Sequence, residues 1–420
     1  MAKIQSINSI QILDSRGIPT LETTVKLQDG TLGSASVPSG KSTGTHEAVE
    51  LRDRDTTHFY GKGVTKAINN VHDTIAHHLK GENVMGLKEI DKKLIDLDGT
   101  ENKSRLGANA ILSVSLATAR ALAASQKQPL WKTLNKYYFA DVKPALPSLM
   151  MNIINGGAHA AWTFDIQEYM IIPQGENIKQ NLEIASEVFH ALEQLLKAEG
   201  HSTGLGDEGG FAPKLKSNFA PFDYIARALQ KTDNKQSSIA FAIDAAASEF
   251  YSDDKYHLKK KGKKLNSSEL SKYYQKLISD YQLLSIEDPF AEEDWDAFAE
   301  FTKEVGERCL VVGDDLYTTN VKLIKQGIEK RATNSVLIKP NQIGTLYETI
   351  QAIKMTKDTG WKVIISHRSG ETKDSFIADL SVACGADFLK AGSVSRSERL
   401  AKYNRLLEIE NKGFSTPRVE

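Results

Sequence analysis

Six apolar runs in the second half of the chain each end in an ionisable residue, and this arrangement restricts the possible folds more than any other feature. The runs are IAFAID, LLSIE, CLVVGD, SVLIK, KVIISH and ADFLK, and they end at Asp244, Glu287, Asp314, Lys339, His367 and Lys390. Amphipathic helical stretches, such as the one carrying Leu346 and Ile350, alternate with them. This alternation is typical of βα units on a parallel sheet.

Two architectures are compatible with this alternation, a closed eight-stranded barrel and an open doubly wound sheet. In a barrel the carboxyl ends of the strands converge on one face, where the active sites of this fold lie. A single carboxylate at a strand end often only caps the next helix. Six buried ionisable groups would be costly in a purely structural core, because unpaired charges are expensive to desolvate. The series therefore favours a functional site.

The first part of the chain shows a different pattern, which predicts a small α+β domain. Apolar and polar residues alternate from Leu21 to Gln28 before Asp29-Gly30, which predicts a half-buried strand followed by a turn. From Val64 onward, apolar residues fall on one helical face up to Leu79, and Gly81 is a stop signal. A second helix, rich in Ala and Leu, is predicted at about 107–124. Prolines at 143–147 indicate a boundary.

Composition and charge exclude several classes of protein. The 420 residues include 53 Lys and Arg against 54 Asp and Glu, so no global positive field favours nucleic acid or an anionic membrane. The N-terminus alternates apolar and polar residues rather than forming the apolar core of a signal peptide, and the sequence predicts no membrane span. Only Cys309 and Cys384 are present, which indicates a reducing compartment. These features predict a cytoplasmic protein.

The residue types at the strand ends point to metal-assisted proton abstraction. Asp244, Glu287 and Asp314 offer hard oxygen ligands with no Cys or His close in sequence, which favours Mg²⁺ over Zn²⁺. Lys339 can serve as a general base only if its pKa is lowered, and a divalent cation and the ammonium group of Lys390 would lower it. Such a site is suited to removing a proton next to a carboxylate, where cations stabilise the developing charge.

Ten short motifs form a distinctive set that spans nearly the whole chain. They are DSRG at 14–17, PSG with STG at 38–44, NIINGGAHA at 152–160, IQE at 166–168, GDEGG at 206–210, SIED at 285–288, GDD at 313–315, NQIG at 341–344, SHRSGET at 366–372 and KAGSVSRSER at 390–399. SHRSGET and GDEGG are the most specific of them. In this set the chain resembles the enolase family.

The resemblance implies an activity and its metals. The activity would be a magnesium-dependent lyase reaction of glycolysis and gluconeogenesis, which interconverts 2-phosphoglycerate and phosphoenolpyruvate plus water. Asp244, Glu287 and Asp314 would hold one Mg²⁺, and Ser42 would hold a second together with the substrate phosphate. A lysine or histidine base beside one or two Mg²⁺ ions is the general arrangement of the enolase superfamily.

The resemblance also implies the roles of the remaining motif residues. Lys339 would take the proton from carbon 2 of the substrate. Glu208 would be the acid that gives a proton to the departing hydroxyl group on carbon 3, assisted by Glu168, with His159 and Lys390 close to the chemistry. The residues expected to bind or orient the substrate are His159, Gln167, Glu168, His367, Arg368, Ser369 and Lys390.

Architecture and partners follow from the same resemblance. The family has an atypical TIM-like (β/α)8 barrel that begins with two strands and two helices, preceded by a smaller α+β domain. This predicts an N-terminal domain at residues 1–137 that carries a lid loop, and a catalytic barrel at residues 138–420. A homodimer or an octamer built from four dimers is implied, acting on a small phosphorylated acid. Some relatives also occur at the cell surface or are secreted.

Three loop positions depart from the family pattern. Lys41 stands where a small residue, commonly Ala, is usual, and Ile18 replaces a usual Asn. Three roles are compatible with Lys41: contact with phosphate, repulsion of the second Mg²⁺, or a side chain in solvent. Trp162 follows His159 where small or polar residues are usual, and it would narrow the pocket, change the loop kinetics or pack outward.

Two other functions remain open on the sequence alone. One is a paralogue that applies the same proton abstraction to another phosphorylated or phosphonate-bearing acid, which the three departures favour. The other is a binding or scaffolding protein in which catalysis is secondary, as in some enolase relatives.

Overall fold

The fold begins with an antiparallel meander of three strands. The computed structural model describes residues 2–41, 44–235 and 238–413. In it β1 spans Ile4–Leu13, β2 spans Pro19–Leu27 and β3 spans Leu32–Ser36, with β2 in the centre. The predicted strand before Asp29-Gly30 is confirmed as β2, whose alternate side chains face the core.

A helix with a π turn follows the sheet. It consists of α1 (Thr65–Asn69), a π turn (Asn70–Ile75) and α2 (Ala76–Leu79). Its buried apolar residues Ala67, Val71, Ile75 and Leu79 are spaced by four. Residues at this spacing drift around a regular α-helix of 3.6 residues per turn. The wider π turn offsets this drift and keeps all four on one face.

Three more helices complete the N-terminal part: α3 (Leu87–Asp98), α4 (Ala108–Ser125) and α5 (Leu130–Tyr138). The predicted helix at 107–124 is confirmed as α4, which packs closely on β3. A Cβ atom at Gly33 would lie 2.1 Å from the backbone nitrogen of Ala121, so only glycine permits this contact. The prediction that no stretch is long and apolar enough for a membrane span is wrong for α4, which meets both criteria. However, 83% of α4 is buried, as in the core helix of a folded domain.

The remaining strands include a closed barrel and a small sheet outside it. Their bounds are β4 (Ser148–Asn155), β5 (Glu168–Pro173), β6 (Ile239–Asp244), β7 (Tyr251–Ser252), β8 (Lys255–Leu258), β9 (Lys263–Leu265), β10 (Leu283–Glu287), β11 (Leu310–Gly313), β12 (Ser335–Ile338), β13 (Lys362–Ser366) and β14 (Phe388–Lys390). Strands β7, β8 and β9 form the small sheet. The others close in the order β10-β11-β12-β13-β14-β4-β5-β6.

The barrel is of the atypical type. Strand β5 runs antiparallel to both β4 and β6, whereas the other neighbouring pairs are parallel. The helices of this part are α6 (Ile178–Ala198), α7 (Ala220–Leu229), α8 (Ser267–Tyr281), α9 (Trp295–Val305), α10 (Val321–Lys330), α11 (Pro340–Ile343), α12 (Leu346–Asp358), α13 (Phe376–Ala383) and α14 (Ser397–Asn411). Two strands and two helices therefore precede the βα repeats, which confirms the predicted fold class.

Two apolar layers stabilise the barrel. The larger one lies between the strands and the surrounding helices. A smaller cluster inside the barrel contains Met150, Met170, Ile172, Ala242, Val312, Leu337, Ile364 and Phe388. This interior cluster fills the barrel below its mouth, so that polar side chains at the strand ends form the floor of a cleft rather than the wall of a channel.

One buried carboxyl group gives the fold a measurable pH dependence. Asp91 on α3 accepts a hydrogen bond from the backbone N–H of Tyr347 at 2.8 Å, and complete burial raises its pKa from 3.8 to about 7. The folded state binds the proton of Asp91 more tightly than the unfolded state does. The contribution of protonated Asp91 to stability is therefore greatest below the pKa that Asp91 has in the unfolded chain, and it is lost as the pH rises through 7.

Asp91→Asn is expected to remove that dependence. Between pH 5 and pH 8 the unfolding free energy of the wild type should fall by about 2 to 3 kcal/mol more than that of the variant. Urea unfolding of both proteins at the two pH values measures this difference, and the other titrating groups cancel in the comparison. Asp96→Asn, on an exposed position of the same helix, is the control. An equal change for wild type and Asp91→Asn would contradict the assignment.

Candidate active site

The strand register brings the ionisable strand ends to one mouth of the barrel. Asp244 on β6 pairs with Glu287 on β10 and, on its other side, with Glu168, the first residue of β5. Strand β5 contributes from its amino end because it runs antiparallel to its neighbours. Asp314, Lys339 and His367 directly follow β11, β12 and β13, and Lys390 ends β14. All these side chains are buried or nearly so.

A cleft opens at this mouth. Most of the residues that the sequence singled out line it: His159, Gln167, Glu168, Glu208, Asp244, Asp314, Lys339, His367, Arg368, Ser369 and Lys390. Glu287 lies beside the cleft, bound to Lys390. Ser42 lies outside the described residues, so its assignment as a metal ligand stays a prediction.

Lys390 is the centre of a buried charge cluster. Its Nζ atom lies 2.7 Å from Glu287 Oε2, 3.2 Å from Glu168 Oε1 and 3.3 Å from Asp244 Oδ2. Burial opposes the charged form, but these carboxylates raise the pKa of Lys390 well above its ordinary value. One ammonium group therefore faces three carboxyl groups.

Lys339 forms a second, partly buried ion pair in the cleft, with Asp314. Gln342 donates a hydrogen bond to the other oxygen of Asp314 at 2.9 Å. The sequence predicts a lowered pKa for Lys339 beside a divalent cation and the ammonium group of Lys390. Burial does lower the pKa of Lys339, but the Asp314 carboxylate outweighs burial and raises it. In this state Lys339 is an ammonium group and cannot accept a proton.

The carboxylates form groups that could hold a metal ion, and the groups differ in part from the predicted one. Ligand atoms of Asp288, Asp314 and Asp315 lie within 4.8 Å of one another, as do those of His159, Glu168 and Glu208. The predicted ligands Asp244 and Glu287 instead share the ammonium group of Lys390.

The donor chemistry fits a divalent cation. Among the described residues, Glu287 Oε1 and Glu168 Oε2 are buried without a hydrogen-bond partner. Burial raises the pKa of Glu287 well above its ordinary value, and repulsion from the nearby Asp244 carboxylate adds to this rise. A cation that replaced the lysine ammonium groups would relieve this repulsion and satisfy the free oxygens.

A chain of four buried groups lies on the other side of the cleft. Glu208 Oε1 lies 3.7 Å from His159 Nδ1 and 3.5 Å from His367 Nε2, and its second oxygen accepts a hydrogen bond from Asn152 at 3.1 Å. His159 Nδ1 also lies 3.9 Å from Glu168 Oε1. The two acids are therefore linked through one imidazole ring.

Arg399 fixes the tautomer of His367. Its guanidinium group donates to His367 Nδ1, so Nε2 carries the ring proton and faces Glu208. Burial lowers the pKa of His367 to about 4, so the ring is neutral at pH 7 and its Nε2 atom lies 3.5 Å from Glu208 Oε1. Two further hydrogen bonds of 2.6 Å, to the carbonyl oxygens of Arg368 and Ser369, hold Arg399 in place.

The two acids have opposite pKa shifts. Burial and the charge of Glu208 raise the pKa of Glu168 well above its ordinary value. Burial also opposes the ionisation of Glu208, but His367, His159 and Lys390 face it and hold its pKa well below its ordinary value. Without ligand, the pair thus keeps its proton on Glu168. For Glu208 to act as the acid, that proton has to move to it.

Arg368 lies at the edge of the cleft, where Glu47 and Asn341 fix its side chain. Its guanidinium group contacts both oxygens of Glu47, at 2.9 and 3.1 Å, and Asn341 Oδ1 at 3.1 Å. Burial opposes its charge, but Glu47 raises the pKa of Arg368. Gln167 Nε2 lies 3.4 Å from Asp244 Oδ2.

The three unusual loop residues do not line the cleft. Trp162 is half-buried and packs against the apolar core, with Lys259 Nζ 4.0 Å from its ring centroid. Ile18 closes the turn after β1 with its backbone N–H, which donates to Asp14 at 2.9 Å. Lys41 reaches across to two barrel loops.

Several residues of the site did not emerge from sequence reasoning: Glu47, Asn152, Asp288, Asp315, Gln342 and Arg399. For five of them a signal was present in the sequence motifs. Asp288 and Asp315 are the second acids of SIED and GDD, and Asn152, Gln342 and Arg399 lie in the motifs at 152–160, 341–344 and 390–399. The carboxyl group of Asp288 accepts the backbone N–H groups of Asp314 and Asp315 at 2.9 and 2.8 Å. Contacts of this kind cannot be read from a single sequence.

An atypical barrel with buried carboxylates, a strand-end lysine and a pair of acids at one mouth defines a lyase of the enolase superfamily. Comparison with protein families agrees with this class. The family model described as the enolase N-terminal domain matches residues 4–134, and the model described as the enolase C-terminal TIM barrel domain matches residues 143–416. The chain belongs to the enolase family.

Proposed function

We propose that this protein interconverts 2-phosphoglycerate and phosphoenolpyruvate plus water, with two Mg²⁺ ions in each site. The observation that carries the proposal is the placement of a base and an acid across one cleft. Lys339 follows β12 and Glu168 begins β5, and these strands are four positions apart in the ring of eight. They therefore face each other across the mouth, as the removal of groups from opposite faces of a substrate requires.

Charge supports the need for metal ions. In the described residues the acids around the cleft outnumber Lys339, Lys390 and Arg368. The substrate carries a carboxylate and a phosphate, which add about three negative charges. Without further cations these charges would repel the substrate from the carboxylates. Asp244, Glu287 and Asp314 would hold one ion, and Ser42 is proposed for the second.

The mechanism assigns one proton transfer to each side of the cleft. Lys339 Nζ, as a neutral amine, takes the proton from carbon 2, and bound Mg²⁺ supplies the positive charge that makes this proton more acidic. Lys339 reaches the neutral form only when the charge of Asp314 no longer holds its proton. Glu208 then gives a proton to the departing hydroxyl group on carbon 3, with Glu168 as the proton reserve.

The remaining side chains bind and orient the substrate. Arg368 exchanges Glu47 for the substrate phosphate, with Ser369 beside it. Lys390 faces the substrate carboxylate, and Gln167, His159 and His367 shape the end of the cleft that holds the leaving hydroxyl group.

A comparison of substrates tests this proposal. With Mg²⁺ present, kcat/KM should be highest for 2-phosphoglycerate and at least tenfold lower for phosphonate and longer-chain analogues. Since Lys41, Ile18 and Trp162 do not line the cleft, no observation favours another substrate. A higher kcat/KM for any analogue would replace the proposal with that of a paralogue.

The setting of the enzyme is part of the proposal. Both cysteines are buried and unpaired, which suits a reducing compartment such as the cytoplasm, where glycolysis takes place. Ile10, Leu13 and Leu32 on the N-terminal sheet are about half exposed, and an apolar surface of this kind suits a homodimer, alone or as an octamer of four dimers. A monomer in sedimentation velocity at micromolar concentration would refute the dimer.

A further inference from the structure

We propose that Lys41 is a positioning residue that links the N-terminal domain to the two barrel loops carrying His159 and Glu208. This inference rests on the proposed function for its kinetic consequences, but not for its structural ones. Lys41 Nζ lies 2.9 Å from the carbonyl oxygen of Ala158 and 2.8 Å from Asp207 Oδ2. One ammonium group thus joins three segments that are distant in sequence.

The two contacts lie next to the reacting groups. Ala158 directly precedes His159, and Asp207 directly precedes Glu208. The loops also contact each other, since the backbone N–H of Asp207 donates to the carbonyl oxygen of His159 at 3.2 Å. A shift of either loop would therefore change the distance of 3.7 Å between Glu208 Oε1 and His159 Nδ1.

The segments that Lys41 joins are also held in place by other hydrogen bonds. Arg399 donates to the carbonyl oxygen of Asp207 at 3.3 Å, and Ser395 donates to that of Gly209 at 2.6 Å. In the N-terminal domain, Ser39 exchanges two backbone hydrogen bonds of 2.8 and 2.9 Å with Gly370. Lys41 thus connects two anchored structures and sets their distance at the mouth of the cleft.

The ion pair matters more for position than for stability. The Lys41 side chain is 45% exposed and that of Asp207 is 28% exposed, and pairs of this kind contribute little to folding. Misplacement of a reacting group by about 1 Å, however, can reduce a rate by about 100-fold.

The competing role for Lys41 is direct contact with the substrate phosphate. The two roles differ in what they require of Asp207. A phosphate contact needs Lys41 alone, whereas a positioning role needs both members of the ion pair, so that removing either one has the same effect.

Hydrogen exchange measures the structural part of the proposal without substrate. In Lys41→Gln, amides in peptides covering 156–163 and 206–209 should exchange about three to ten times faster than in the wild type, while the unfolding temperature stays the same. Lys41→Arg should restore protection. Lys276→Gln removes a comparable exposed ion pair, with Asp280 at 2.6 Å on α8, and should leave both loops unchanged. Unchanged exchange in Lys41→Gln would overturn the proposal.

Steady-state kinetics measure the functional part. Lys41→Gln and Asp207→Asn should each lower kcat/KM for 2-phosphoglycerate by about three to tenfold. The kcat/KM of the double variant should be no lower than that of the less active single variant. High salt should lower the kcat/KM of the wild type more than that of either variant, because salt screens the ion pair that only the wild type has. Additive losses, or a loss in Lys41→Gln alone, would overturn the positioning role. A wild type that is inactive on 2-phosphoglycerate would refute the proposed function, while hydrogen exchange still decides the link.

Discussion

Replacement of Lys339 by Ala is expected to lower kcat for 2-phosphoglycerate by about 1000-fold or more, with a much smaller change in KM. General base catalysis commonly contributes a factor of about 10² to 10⁴. Lys339 is the partly buried amine that follows β12, on the side of the cleft opposite Glu168. Its loss also leaves Asp314 without its ion pair. Steady-state kinetics with Mg²⁺ present measure the effect.

Two controls separate the loss of the base from a loss of structure. Lys339→Gln keeps a polar side chain of similar length beside Asp314 and should be as inactive as Lys339→Ala. Lys330→Ala, at an exposed position on α10, should retain wild-type kcat. Both Lys339 variants should unfold in one cooperative transition. A kcat for Lys339→Ala within tenfold of the wild-type value would exclude Lys339 as the base.

Removal of divalent cations is expected to abolish turnover, and excess Mg²⁺ should restore it. The physical reason is the surplus of carboxylates around Lys390, Lys339 and Arg368, which an anionic substrate would increase. In the absence of metal the lysines remain paired with acids, so that neither can serve the reaction. Kinetic assays in chelator, followed by titration with Mg²⁺, measure this requirement.

The substitution Glu287→Gln tests the metal requirement at one proposed ligand. It removes one negative charge and one anionic ligand while keeping a side chain that can contact Lys390. The Mg²⁺ concentration needed for half-maximal activity should rise at least about tenfold, since second- and first-sphere changes at metal sites have effects of this size. Full activity in excess chelator, or an unchanged Mg²⁺ requirement in Glu287→Gln, would contradict the metal assignment.

The sequence predicted well what depends on strand periodicity. Parallel strands place their carboxyl ends at one edge, so Asp244, Glu287 and Lys390 could be expected together, and the structure confirms that they meet. Glu168 could not be found this way, because β5 runs antiparallel and brings its first residue to the mouth. Its place came from the resemblance to the enolase family alone.

Contacts made by loops and long side chains were beyond sequence reasoning. Lys339 and Lys390 line the same cleft, but the sequence could not show that each ammonium group binds nearby carboxylates. The alternatives for Lys41 and Trp162 depended on the direction of each side chain. Only the fold shows that Lys41 binds Asp207 and that Trp162 packs under Lys259.

Exchange of the carbon 2 proton of 2-phosphoglycerate in D₂O, followed by proton NMR, tests the central claim most directly. The account predicts that the wild type with Mg²⁺ loses the carbon 2 signal and forms phosphoenolpyruvate. Glu208→Gln should still lose that signal while forming little product, and Lys339→Ala should keep it. Loss of the carbon 2 signal in Lys339→Ala at the wild-type rate would show that another group removes the proton.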